Sequence, residues 1–441
     1  MNLRKSLSAV VALFCLLALP LGFVNCQGAS STDNSTNQNT NDNTSTDCSD
    51  SELISLEAQM TQALQSAGAK ESFYLELQRG LDGRIFTFSR PVDGKTTVTA
   101  STTLKSASTA KMITAAVILD VISNPSMYPP GNGVVNGRTL SLDSLARQFL
   151  PKTGGGTVWA TTTGALPTTN RLFNVKLRHL LSFTSGLEEE NACISSDTVS
   201  HNDCITRVVT DSVSLADNTA NTGRTFFYNG SHLFVAAQMA VNATGMDSWA
   251  SVFKRFKEIH GVFQTPVASP DATAMGVGAF YPFSTAGTFS PSPAGAMQYK
   301  AGDYADFLLK LAKGQIVNTT LLDEMMSDQN LFLNASIKYS PTWDDGEVWH
   351  YGLGLWNECP ALTYSAACVE DRYSSPGSFG SYPFADFNLW DGTPQLLVGF
   401  LGYGGTDKAQ AIEGINLYRS LGGGTIGVKD LAQKWAANKC L

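Results

Sequence analysis

The chain has 441 residues, enough for one large domain or two modest ones, with a hydrophobic content of 43% that is ordinary for a globular fold. Its formal net charge of −8 argues against a surface that recruits nucleic acid or an anionic membrane. Plentiful Gly and Ser point to many loops.

Residues 1–26 read as an export signal. Arg4 and Lys5 precede an almost wholly apolar run from Leu7 to Val24, and Pro20 with Asn25 argues for processing rather than a folded helix. Two other readings of this start stay open: an uncleaved membrane anchor, and a lipid anchor at Cys26. Against the latter, Phe23-Val-Asn-Cys26 lacks the small residue that normally precedes a lipidated Cys. The expected location is secreted, cell-surface or periplasmic. Residues 27–50 are mostly Ser, Thr, Asn, Asp and Gln and cannot bury enough surface to fold, so they are expected to be a linker before a domain at 51–441. Asn-x-Ser/Thr sequons at Asn34, Asn43, Asn229, Asn242, Asn318 and Asn334 are about what this composition yields by chance.

With Cys15 and Cys26 assigned to the leader, Cys48, Cys193, Cys204, Cys359, Cys368 and Cys440 remain, an even set in an exported chain. Cys193/Cys204 and Cys359/Cys368 would each close a short loop and Cys48/Cys440 would join the ends, although other pairings are open. No two of the five histidines lie three or four apart, and only His201 has a Cys close by, at Cys204. No metal site and no cofactor are expected.

Glu52 to Ser66 spaces its apolar residues at three and four, which predicts a helix. Ser72–Gln78 and Arg84–Ser89 read as paired strands about the turn Gly80-Leu-Asp-Gly83, and Thr96–Thr99 as a third. A helix follows in which positions 112 to 119 are apolar except Thr114. Ser108 and Lys111 stand three apart at its start, so hydroxyl and amine share one face. Desolvation at a helix start weakens the preference of a Lys for its ammonium form, and a neutral amine can take the proton of an attacking hydroxyl. Ser-x-x-Lys alone is a cheap pattern, equally consistent with a core helix and a surface Lys.

The stretch 124–170 is rich in Pro, Gly and Thr, with one ordered-looking piece at Leu140–Leu150. Val175–Leu187 reads as a short helix, 188–221 as an acidic loop, and 263–300 as an irregular crossing. Helices are expected at Phe234–Ala243, Trp249–Ile259 and Gly302–Gly314. Strands return at Trp349–Trp356, Gly377–Phe387 and Pro394–Gly402, before helices at Ala409–Leu421 and Val428–Ala437. Strands at both ends with helices between them predict one sheet assembled from distant parts of the chain.

Several blocks in a consistent order resemble the serine hydrolases of the class C beta-lactamase, penicillin-binding D-aminopeptidase and carboxylesterase group. They are Ser108-Thr-Ala-Lys111, Leu180-Leu-Ser-Phe-Thr-Ser-Gly-Leu187, Phe227-Tyr228 with Thr244-Gly245 behind it, Tyr351-Gly-Leu-Gly354, and Ser375-Pro-Gly-Ser-Phe-Gly380. The resemblance implies an α/β (α+β) fold of the beta-lactamase/transpeptidase type: an antiparallel sheet flanked by helices, with an inserted, mostly helical region. It also makes Cys48/Cys440 sensible, since terminal helices pack together on the sheet in relatives.

The same resemblance implies Ser108 as nucleophile, Lys111 as proton acceptor and Tyr228 as the phenol that shuttles the proton. The amides of Ser108 and Ser378 would form an oxyanion hole. Gly377 would let substrate approach the backbone, and Asn229 and Ser375 would contact substrate. Two departures matter. The Asn usual two residues beyond the Tyr is Gly230 here, with Asn229 adjacent instead. Ser375 stands where relatives carry Lys or His, which weakens recognition of a free carboxylate unless Arg372 or another base substitutes. The expectation is a secreted serine hydrolase acting on an ester or amide of a small-molecule or peptide substrate. A D-alanyl-D-alanine carboxypeptidase or beta-lactamase is one alternative, and a non-catalytic extracellular binding relative is another.

Overall fold

The computed structural model describes residues 48–438 apart from stretches inside 151–170, 188–200, 215–224, 265–291, 333–346, 359–371, 389–393, 405–407 and 421–426. Helix α1 (Asp50–Ser66) starts on a capping box between Ser49 and Glu52 and buries Leu53, Leu56, Met60 and Leu64, each worth about 1.5–3 kcal/mol of burial. Strands β1 (Phe73–Arg79) and β2 (Ile85–Arg90) pair antiparallel, with Phe73 opposite Arg90. The rest of the sheet comes from the far end of the chain: β3 (His350–Tyr351), β4 (Trp356–Asn357), β5 (Arg372–Ser374), β6 (Ser381–Asn388) and β7 (Pro394–Tyr403). The order is β3-β4-β5-β6-β7-β1-β2, antiparallel throughout, with Phe73 of β1 opposite Tyr403 of β7.

Every residue of β1 is buried because helices cover both faces of the sheet. Phe73, Leu75 and Leu77 join one core with α1 and the C-terminal helices α5 (Lys408–Ser420) and α6 (Val428–Ala437). Tyr74 joins the other, larger core. That core contains α2 (Ala110–Ser123), α3 (Ser231–Thr244) and α4 (Ala301–Ala312), where Tyr304 of α4 stacks on Phe400 of β7 at 5.3 Å. The fold is the expected antiparallel sheet flanked by helices, with a mostly helical region inserted between β2 and β3.

Several local expectations need correction. Thr96–Thr99 forms no strand; Thr103–Lys105 does, paired with Met297–Lys300 inside the stretch read as irregular. The helix expected over Val175–Leu187 is only Leu177–Leu181, and Phe183 just beyond adopts a left-handed φ of 59°. Residues 201–214 are helical, not loop. Their polar outer face masked an inward stripe of Cys204, Ile205, Val208 and Val209. Cys193 and Cys204 form the expected disulfide. Cys48 is also disulfide-bonded, while Cys359, Cys368 and Cys440 lie outside the described residues, as do the leader and most of the linker. Among the described residues no helix is long and apolar enough to cross a membrane, and no group of His, Cys, Asp and Glu gathers as around a metal ion.

Candidate active site

Ser108 lies at the centre of a single 3-10 turn, Ala107–Thr109, that feeds directly into α2. The turn is strained: Ala107 has a φ of 44°, a left-handed conformation that costs a residue with a Cβ about 1–3 kcal/mol. Ser106 holds it in place. Its Oγ donates to Gly295 O at 2.8 Å and accepts from Met297 N at 3.0 Å, and its carbonyl accepts from Thr109 Oγ1 at 2.7 Å. From Ala110 to Val121 every residue of α2 is buried, so the apolar run fixes the helix in the core and leaves Ser108 half-buried at its end.

Lys111 is one helical turn along and only 6% exposed. Its Nζ lies 2.8 Å from Ser108 Oγ, donates to Ala294 O at 2.8 Å, and sits 5.0 Å from the ring centroid of Tyr228. The amine is thus held in contact with the Ser108 hydroxyl. Ala294 belongs to the stretch read as irregular, so the sequence carried no sign of this anchor. Gly354, with a φ of 78°, lets the β3–β4 turn close on the same helix, because a Cβ there would lie 2.5 Å from Ala115 Cβ and 2.8 Å from Lys111 O.

Tyr228 follows the short strand Thr225–Phe227 and is oriented by aromatic packing. Its ring stacks on Trp356 at 5.2 Å and meets Phe183 edge-on at 5.1 Å. Lys111 thus stands beside both Ser108 and the Tyr228 ring, and Ser108 and Tyr228 line one cavity. Asn229, expected to contact substrate, borders the same space but its carboxamide is committed elsewhere. It donates to Leu187 O at 2.6 Å and accepts from Ser231 N at 2.8 Å. Its sequon nitrogen is buried, which leaves no room for a glycan in the folded protein.

His232, fully buried, ties these segments together. Nδ1 faces Ser185 Oγ at 2.8 Å, Nε2 faces Phe227 O at 2.9 Å, and the ring stacks on Phe183 at 5.0 Å. Ser185, in the Leu180–Leu187 block, thus has a structural partner. Burial pushes the imidazole down to about 3, against the pull of the Phe227 and Leu187 carbonyls. The native state therefore refuses a proton that the unfolded chain accepts below about pH 6.5. Stability should fall by up to about 1.4 kcal/mol per pH unit as pH drops from there toward 3. His179, driven by burial to about 4, adds to the same trend. Denaturant titrations across this window should show a shallower pH slope for His232→Gln than for the wild type.

The other side of the site is the connection from β5 to β6. Gly377, expected to clear a path for substrate, lines the adjoining cavity, and its missing side chain also makes room for the nucleophile turn. A Cβ there would lie 2.4 Å from Ser106 O and 2.9 Å from Thr109 Cγ2. Ser375, expected to contact substrate, is turned inward. It is 3% exposed and its Oγ donates to Ser108 O at 3.1 Å, so it braces the nucleophile's backbone and does not line the adjoining cavity. Ser378 is exposed and lines that cavity, and its amide has no acceptor among the described residues. The Ser108 amide is likewise without one.

The cavity measures about 520 Å³. Ser108, Tyr228, Gly377 and Ser378 form one end, while Trp349, Trp356, Tyr339, Ile412 and Ile415 supply apolar wall. Among the described residues no Lys, Arg or His lines it, and the one charged lining residue is Glu347. Arg372, the candidate replacement for the missing base, is turned away and donates to buried Glu358 at 2.7 Å. Burial opposes ionisation of Glu358, but Arg372, Arg419 and the Ser374 hydroxyl outweigh it and hold the carboxyl down at about 2. Sequence reasoning missed the aromatic wall. Its available signal was Trp349 and Trp356 flanking the Tyr351–Gly354 block, which was read only as strand.

The chain matches the family described as Beta-lactamase over residues 81–412. Among solved structures it is similar to the D-amino acid amidase from Ochrobactrum anthropi SV3, at 16% identity and a TM-score of 0.53, covering 88% of this chain and 99% of that one. It is also similar to a penicillin-binding protein homologue from Caulobacter crescentus, at 13% identity and a TM-score of 0.53, covering 82% and 94%. A third is EstCE1, a hydrolase with promiscuous acyltransferase activity, at 16% identity and a TM-score of 0.50, covering 79% and 93%. At such identities the likeness is one of fold. No curated protein sequence matches the chain.

Proposed function

This chain belongs to the beta-lactamase family and is a serine hydrolase, and we propose that it opens ester or small amide bonds of substrates without a free carboxylate through an acyl-enzyme on Ser108. The observation that carries the reading is the Lys111 amine fixed between Ser108 Oγ and Ala294 O beneath the Tyr228 ring. Neutral Lys111 takes the hydroxyl proton as Oγ bonds to the substrate carbonyl carbon. The carbonyl oxygen becomes an oxyanion, received by the amides of Ser108 and Ser378, each worth about 3 kcal/mol. As the tetrahedral adduct collapses, the Tyr228 phenol protonates the departing oxygen or nitrogen, and its own proton is restored from Lys111. Water then adds to the acyl-enzyme, gives its proton to the same pair, and releases the acid and free Ser108.

The preference for substrates without a carboxylate rests on charge. Relatives meet a substrate carboxylate with Lys or His, whereas here Ser375 faces the nucleophile's backbone and, among the described residues, no basic side chain lines the cavity. We further propose that the protein acts outside the cytoplasm, which suits the charged and apolar start and the Cys193–Cys204 disulfide. The lipid anchor at Cys26 remains an alternative mode of attachment. A short p-nitrophenyl ester should be turned over with a kcat/KM at least about tenfold above that of a D-alanyl-D-alanine peptide, the value of one missing charge-assisted bond. Faster turnover of the peptide would reject the preference for substrates without a carboxylate.

A further inference from the structure

Building on the acyl-Ser108 reading, we infer that the cavity selects substrates whose distal end is cationic, an amine above all, and that Glu347 receives it. Glu347 is 39% exposed at its side chain and lies where the aromatic wall ends. The wall begins at the nucleophile: Tyr228 stacks on Trp356 at 5.2 Å, Trp356 meets Trp349 at 6.3 Å, and Trp349 Nε1 donates to Glu347 Oε2 at 2.9 Å. A substrate acylating Ser108 and lying along these rings would carry its far end to that carboxylate.

The carboxylate is held ready and retains capacity. Trp349 occupies one site on Oε2, and Arg419 Nη1 donates to Oε1 at 3.0 Å. A carboxylate offers about four lone-pair sites, so acceptor positions remain for a ligand. Arg419 does not make the spot basic, because its Nη2 donates to buried Glu358 at 2.6 Å. Counted together, Arg372 and Arg419 balance Glu347 and Glu358. Arg372 is buried and away from the cavity, while the acidic end lines it. Indole faces beside a carboxylate are the chemistry that holds ammonium groups. Arg419 already demonstrates this, with its guanidinium carbon 5.0 Å from the Trp349 ring centroid. A carboxylate in the same position would face Glu347, with no basic side chain among the described lining residues to meet it.

Three matched ligands that cannot be hydrolysed test this on the wild-type protein: 4-phenylbutylamine, 4-phenylbutan-1-ol and 4-phenylbutyrate, titrated by tryptophan fluorescence or calorimetry. The amine should bind about tenfold tighter than the alcohol, as a charge-assisted bond requires, and the acid weakest of the three. In Glu347→Gln the amine should fall to the level of the alcohol. Equal or tighter binding of the alcohol or the acid by the wild type overturns the inference, and so does failure of all three to bind. An amine advantage that survives Glu347→Gln overturns the assignment to Glu347. No bond is broken in this experiment, so its failure strikes the substrate class alone and leaves acylation of Ser108 to be judged separately.

Discussion

Replacing Lys111 by Met should slow acylation of Ser108 by about 10²–10⁴-fold, the usual contribution of a positioned general base. The thioether fills nearly the same volume in a site only 6% exposed, so packing along α2 is preserved. What disappears is the one nitrogen 2.8 Å from Ser108 Oγ, and with it the donor to Ala294 O. Leaving that carbonyl without its donor costs about 1–3 kcal/mol, offset in part because a buried amine no longer has to be desolvated. The folded protein should therefore survive with a modestly changed melt and a rate lowered by orders of magnitude. The check is a stopped-flow burst or a timed labelling assay beside a thermal melt. Acylation at the wild-type rate would remove Lys111 from the mechanism.

Gly377→Ala should be nearly as damaging, by geometry rather than charge. The new methyl would sit 2.4 Å from Ser106 O, which is itself the acceptor for Thr109 N at 3.2 Å and Thr109 Oγ1 at 2.7 Å. The nearest obstacle is the Ser106 carbonyl, which as backbone cannot swing aside. Either the β5–β6 connection retreats, taking the Ser378 amide with it, or the nucleophile turn opens. A displacement of about 1 Å at the reacting centre costs about 10²-fold in rate, and overpacking of this kind costs about 1–3 kcal/mol of stability. Labelling rate and denaturation midpoint should fall together in this variant. A variant with wild-type values for both would mean that the two segments are not in contact as described.

The fold was legible where local pattern and burial agree. Helix α1, strands β1, β2 and β7 and helix α6 follow directly from apolar spacing at three and four or at two. Residues 201–214 were missed because the polar face dominates their composition, and Thr103–Lys105 because a three-residue strand has too little pattern to read. In the site, Ser108 and Lys111 were visible as a pair on one helical turn, and Tyr228 only through its motif. The directions of the short polar side chains were not readable. Ser375 and Asn229 are of the right type and near the right place, but their hydrogen bonds turn inward, to Ser108 O and Leu187 O. Nor could spacing show that Gly377 serves the nucleophile turn, since Ser106 lies on a distant part of the chain and the contact exists only after folding. Glu347 escaped notice for the same reason, as its neighbours Trp349 and Arg419 approach it from different elements.

The most direct test of the account is attack by Ser108 itself. The folded protein, treated with a fluorophosphonate between about pH 6 and 9, should gain one covalent adduct. Peptide mass spectrometry should place it on Ser108, and Ser108→Ala should lose it. An unlabelled wild type, or an adduct that persists on Ser108→Ala, would contradict the proposed chemistry.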